Sequence, residues 1–162
     1  MMEMEIKTTI GHLSGPGHTF EPDTKVSKIF MTMINNQAIT DFTVVDGNRV
    51  VGFMPGTAFN EILNCKYRYR AYSQKTIREV VQDREFLKVD HRMPLGCVAK
   101  LAAQRPYGRQ RNPIVVEDEN GYHGIVTMND LLKAVCGKGK DAISGAVDMW
   151  YIYEQYVKNT PV

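Results

Sequence analysis

The group in this chain best placed to do chemistry is Gly124-x-x-Thr127-x-x-Asp130. A glycine in a strand lets the backbone come close to a ligand. A threonine hydroxyl at the start of a helix sits where a phosphate is favoured, and an aspartate can accept hydrogen bonds from two neighbouring hydroxyls. Thr127-x-x-Asp130 is also close to a capping box, with Thr127 as N-cap and Asp130 at N3, an arrangement that needs no ligand. The two roles are compatible. Just upstream, Arg105, Arg109 and Arg111 precede the strand that starts at Pro113-Ile114. That is either a basic loop able to meet phosphates or a solvated one.

Other signals are weaker. Lys66-Tyr67-Arg68-Tyr69-Arg70-Ala71-Tyr72 interleaves bases and aromatics as single-strand nucleic-acid binders do. One short run favours the plainer reading, in which a connector lays tyrosines on the domain and charges into water. Gly137-Lys138-Gly139-Lys140 lacks the glycine spacing and the hydroxyl residue of a phosphate loop. His12, His18, His91 and His123 show no i,i+4 pairing and no CxxC neighbour, so no metal is assigned. Cys65, Cys97 and Cys136 are widely separated and odd in number, which suits reduced thiols. No nucleophile–base or paired-carboxylate arrangement supports catalysis, so the expectation is not an enzyme. With 20 basic and 18 acidic residues, net charge +2, no overall field demands a nucleic acid or an anionic membrane. The sequence shows no signal peptide and no membrane span, and reads as cytoplasmic.

The elements that position these residues repeat at an offset of 72. Pro22, Val26, Lys28, Asp46 and Gly52 coincide with Pro94, Val98, Lys100, Asp118 and Gly124, with no insertion needed to hold the register. A duplicated unit of that kind should pack as a pseudo-symmetric pair, with the cleft between as the first place to look for function. In the first unit a helix through Val26, Ile29, Phe30, Met33 and Ile34 precedes a hairpin turning at Asp46-Gly47-Asn48, and Thr57 to Leu63 closes the unit. In the second, a strand at Phe86 to Val89 leads a helix after Pro94, a hairpin turning at Asp118-Glu119-Asn120-Gly121, and a helix from Thr127 to Val135 that Gly137 would cap. A short strand is expected at Ile6 to Ile10, and a connector helix at Thr76 to Gln82. Ala146, Met149, Trp150, Tyr153, Tyr156 and Val157 fall on one face of a C-terminal amphipathic helix.

The run Asn112-Pro113-Ile114-Val115-Val116-Glu117-Asp118, leading into Gly124-Ile125-Val126-Thr127-Met128-Asn129-Asp130-Leu131-Leu132, resembles the CBS domain, named for cystathionine β-synthase. The tandem looks like a Bateman module, most similar to the pairs of bacterial signalling proteins. The resemblance covers roughly Glu21 to Val135 and is stronger in the second unit. It implies an α+β fold of two βαββα-type CBS repeats packed as a pseudo-two-fold pair, plus the C-terminal helix. The expected boundaries are 1–64 for the first repeat with its N-terminal segment, 65–84 for the connector, 85–136 for the second repeat and 137–162 for the linker and last helix. The function implied is a non-catalytic sensor binding AMP, ADP, ATP or S-adenosylmethionine between the repeats, with no catalytic cofactor. Gly124, Thr127 and Asp130 would hold ribose and phosphate, Pro113 and Ile114 would flank the adenine, and Arg111 would meet the phosphates. A homodimer and a signalling-protein partner are expected. The alternative is a ligand-free dimerisation or adaptor module.

The first repeat departs from the motif. Pro55 stands where Thr127 does and Ala58 where Asp130 does. A two-residue slip would bring Thr57 and Asn60 into the motif instead.

Overall fold

The computed structural model describes residues 9–136. They fall into two compact units. The first contains β1 (Thr19–Phe20), α1 (Val26–Asn35), β2 (Phe42–Asp46), β3 (Arg49–Met54), α2 (Gly56–Leu63), α3 (Lys66–Tyr72) and α4 (Ile77–Val81). The second contains β4 (Lys88–Asp90), α5 (Leu95–Ala103), β5 (Ile114–Asp118), most of β6 (Gly121–Val126) and α6 (Met128–Cys136). Each unit holds a three-stranded sheet, β1-β2-β3 or β4-β5-β6, whose leading strand runs parallel to the middle one. The α+β fold of two repeats is therefore the one the sequence implies. The C-terminal helix and the Gly137 cap lie outside the described residues.

The periodicity of each element explains its burial. Strands β2 and β5 are nearly continuous apolar runs, with Phe42, Val44, Ile114 and Val116 all at most 1% exposed. In α1, Val26 and Ile29 face inward at i and i+3, and Phe42, Met54 and Phe59 meet them from the sheet and α2. Phe42 stands edge-on to Phe20 and Phe59, with ring centroids 5.0 and 5.4 Å away. The second core is smaller in side-chain volume, built around Val98, Ala102, Ile114, Val126 and Leu131. The first hairpin turns where Gly47 stands at φ 65°, a conformation glycine adopts without strain.

The structure corrects the repeat register. From the hairpin onward the offset is 72, since β2, β3 and α2 start at 42, 49 and 56 while β5, β6 and α6 start at 114, 121 and 128. Before the hairpin it is 69, because β1 and α1 correspond to β4 and α5 (19 to 88, 26 to 95). The backbone bonds agree: Thr43 N donates to His18 O and Val115 N to Leu87 O, at 2.9 and 3.0 Å. The second repeat has three extra residues between its first helix and its hairpin. They fall in the loop 104–113 that carries the arginines.

A further correction concerns the opening segment. It belongs to the second unit, and Ile10–His12 forms a single 3₁₀ turn in place of the end of the expected strand. Its bonds match those of α4 in the first unit. Ile10 N donates to Met93 O at 2.9 Å and Gly11 N to His91 O at 2.9 Å, while Ile77 N donates to Thr24 O at 2.8 Å and Arg78 N to Pro22 O at 3.1 Å. Ile10 and Ile77 are both fully buried. Each unit is thus completed by the segment that precedes the other repeat in sequence. Burial of one isoleucine and two backbone bonds is a stronger local determinant than nearness in sequence.

Candidate functional site

Thr127 immediately precedes α6, and its Oγ1 accepts the Asp130 amide at 3.1 Å. The N-cap role is therefore filled. The reciprocal half of a capping box is not made, and the Asp130 carboxylate is exposed and without a partner among the described residues. It stands within the first turn of α6, where the aligned amides favour negative charge. Pro113 is half-buried at the start of β5, and Ile114 beside it is fully buried in the core. Ile114 thus contributes its side chain to the core, which leaves only its backbone for a ligand.

The loop arginines divide. Arg105 donates from Nε to Ala102 O at 3.2 Å and from Nη2 to Gln110 O at 2.7 Å, while Gln110 Nε2 returns to Ala103 O at 3.2 Å. These bonds satisfy carbonyls at the C-terminal end of α5 and hold the loop to it. Burial pushes the Arg105 guanidinium below its ordinary range. Arg111 is exposed, with no ion pair or hydrogen bond among the described residues. Of the three loop arginines it is the one without a partner among the described residues, and so free to meet an anion.

Gly124 has a use that the sequence reading missed. A Cβ there would fall on the carbonyl oxygen of Gly15, with Ser14 Cβ 3.2 Å away. Gly15 and Ile125 exchange both backbone bonds at 2.9 Å, so the segment 9–15, bonded to residues 91–94 at its start, is a strap held to β6 at its end. The close approach that glycine permits is taken by the chain itself. In the first unit Gly52 does the same for Val81, whose Cγ2 would lie 2.6 Å from an added Cβ. The signal was present in the sequence, because the glycine recurs in a repeat that has lost both the threonine and the aspartate. Gly124→Ala is expected to destabilise by about 1 to 3 kcal/mol, since a backbone carbonyl cannot turn aside as a side chain can. Urea unfolding, with Gly52→Ala as the milder comparison, measures it.

The first unit lacks the threonine and aspartate of the motif at its helix start. Pro55 is the N-cap of α2 and has no hydroxyl to offer, while Thr57 and Asn60 lie inside the helix. The two-residue slip is therefore excluded as a helix-start alignment. Asp41 occupies the place that Pro113 has in the second unit, and burial raises its pKa, with a hydrogen bond from Thr40 and the charge of His18 working the other way. In α3, Tyr69 meets Phe30 edge-on at 5.5 Å and Tyr72 lies under Lys75, leaving Tyr67 as the exposed ring. Two of the three tyrosines therefore pack on their own unit. Among the described residues no three metal-binding side chains are grouped, and no helix is long and apolar enough to cross a membrane.

Two like units, each a helix-backed sheet whose last strand feeds a capped helix, define a tandem α+β module. The family profile of the CBS domain matches residues 77–137, from α4 to the end of α6. No curated protein matches the sequence. Among solved structures, CBSX2 in complex with AMP is 19% identical, covers 80% of this chain and 97% of its own, and superposes with a TM-score of 0.62. The CBS domain pair of protein MJ0100, in complex with 5′-methylthioadenosine and S-adenosyl-L-methionine, gives 21%, 82%, 98% and 0.61. A CBS domain-containing protein of unknown function from Bacillus anthracis gives 12%, 86%, 100% and 0.66. Residues 77–137 thus match the CBS domain profile, and the chain has the fold of the solved CBS-domain pairs.

Proposed function

We propose that the chain is a non-catalytic regulatory module whose second unit binds an adenosine-type ligand, one of AMP, ADP, ATP or S-adenosylmethionine. The observation that carries this reading is the exposed, unpartnered carboxylate of Asp130, held at the start of α6 by a cap that already satisfies Thr127. Asp130 accepts the ribose hydroxyls, the Thr127 end of the helix faces phosphate, the backbone at Pro113 and Ile114 borders the adenine, and Arg111 neutralises charge. Support comes from the CBS match, which spans all of these residues, and from the adenosine compounds bound by CBSX2 and the MJ0100 pair. The module works in the cytoplasm as a homodimer and passes the ligand signal to a partner through a difference in affinity between two arrangements.

Calorimetric titration with AMP, ADP, ATP and S-adenosylmethionine is the test. One ligand per chain is expected, because only the second repeat has the motif, and Asn60→Ala should leave the isotherm unchanged. Two equivalents, one of them lost with Asn60, would overturn the assignment of a single site.

The ligand-free adaptor reading has one observation in its favour. Thr127 is used as a cap and Gly124 as the seat of the strap, so two of the three motif residues have structural reasons to be there. Absence of any thermal shift across the same four compounds would select it.

A further inference from the structure

Helix α1 is apolar around more of its circumference than one core can cover. Val26, Ile29 and Met33 fall within one arc that packs on the first core, with Val26 and Ile29 fully buried. Phe30, Met31 and Ile34 continue the arc on the other side, so the apolar stripe spans about 200°, roughly twice what a helix with a single buried face needs. Phe30 meets Tyr69 of α3 edge-on, but Met31 and Ile34 are 54% and 49% exposed. No other large aliphatic side chain among the described residues is as exposed. The polar surroundings of this face carry one sign. Lys28 on α1 and Lys66, Arg68 and Arg70 on α3 are exposed and make no ion pair among the described residues. No acidic residue occurs at 24–40 or 62–78. Two copies of this face cannot meet each other, because that would set like charges against like.

The chain carries the opposite pattern elsewhere in its sequence. Residues 141–157, outside the described residues, contain Asp141, Asp148 and Glu154 and no lysine or arginine. On the amphipathic helix that their spacing predicts, Asp148 and Glu154 stand to either side of the stripe of Met149, Trp150, Tyr153, Tyr156 and Val157. An apolar strip among cations thus matches an aromatic strip between anions. We propose that residues 146–157 of a second copy of this chain dock on the face of α1 and α3, exchanged reciprocally so that each protomer holds the other's segment. Met31 and Ile34 receive the aromatic stripe, and Lys28 and the α3 cations meet Asp148 and Glu154. The exchange closes as a two-fold dimer in which each contact is made twice. The basic and aromatic run of α3 then has a use apart from nucleic acid: Tyr69 and Tyr72 pack on their own unit, and the cations serve the partner. This inference rests on the homodimer of the proposed function and not on its ligand.

Sedimentation equilibrium of full chains with complementary charge reversals is the test. Lys28→Glu/Arg70→Glu makes the face acidic, and Asp148→Lys/Glu154→Lys makes the segment basic. Each variant alone sets like charges against each other, so its dimer should weaken about tenfold or more relative to wild type. In an equimolar mixture every reversed face finds a reversed segment and every original face an original one, so heterodimers should form with roughly the wild-type affinity. Docking within one chain predicts no recovery on mixing, since each variant stays mismatched with itself, and that result would overturn the exchange. The wild-type dimer should also weaken as salt rises, and a dimer indifferent to salt would overturn the proposal without any variant. A dimer that neither variant weakens would overturn the proposal and leave the homodimer standing, whereas a wild type that stays monomeric would overturn both.

Discussion

Replacing Gly121 by alanine is expected to lower the unfolding free energy by about 3 kcal/mol or more, a drop of roughly 10 °C in Tm for a chain of this size. Two effects combine at this position. Gly121 has φ 115°, a conformation that residues with a Cβ rarely adopt. Its added Cβ would also fall on the carbonyl oxygen of Asn48, with Asn48 Cβ 3.0 Å away. That carbonyl already accepts the Tyr122 amide at 2.7 Å, and the Tyr122 hydroxyl donates to Pro16 O at 2.6 Å. Residues 119–122, the tip of the second hairpin, count with the first unit for this reason. Gly47→Ala is the control, because Gly47 also has positive φ but nothing stands within 4 Å of an added Cβ, so about 1 kcal/mol is expected. Thermal or urea unfolding of the two variants gives the comparison. Equal losses would mean that the backbone of Asn48 does not approach Gly121 in solution.

The sequence announces the hairpins and closing helices well because their determinants are local. Asp46-Gly47-Asn48 specifies its own turn, and the apolar runs after it have the length and bounds of buried strands. The first helix of each repeat was assigned a partner three residues out of register for a physical reason. Three residues are close to one helical turn, so a shift of that size keeps the apolar face nearly in place. Val26 still meets Val98, and Ile29 meets Leu101. Burial exposes the error, since Ile29 is fully buried while Leu101 is 37% exposed, and Val98, its true counterpart, is fully buried. The three compensating residues lie in a loop, where an insertion costs little.

The candidate site was legible in its side chains and illegible in its backbone. Thr127 and Asp130 are three residues apart, and a helix start places both without reference to the rest of the fold. The seat of the strap at Gly124 depends on Gly15, a contact between residues more than a hundred positions apart. No periodicity encodes such a contact. The pairing of His91 with His123 was likewise invisible, since neither spacing nor neighbours link a residue before α5 to one in β6.

Asp130→Ala is expected to weaken binding of an adenosine ligand about tenfold to a hundredfold while leaving the fold in place. In the proposed site the carboxylate is the charged acceptor for the ribose, and a hydrogen bond to a charged group contributes about 1.5 to 3 kcal/mol. The structural cost is small for two reasons. Thr127 caps α6 through the backbone amide of residue 130, which alanine retains, and the Asp130 side chain has no partner to lose among the described residues. What remains is the favourable placement of an anion in the first turn, about 0.3 to 1 kcal/mol. Thr127→Ala is the converse case, since it removes the cap, about 1 kcal/mol of stability, along with a group that the proposed site places near the phosphate, so its effects on binding and folding are entangled. Calorimetry with AMP and S-adenosylmethionine on wild type and Asp130→Ala, paired with urea unfolding, separates the two contributions. Unchanged affinity at unchanged stability would remove Asp130 from the site, whereas reduced affinity with stability held would show that the carboxylate left free by the cap is the group that holds the ribose.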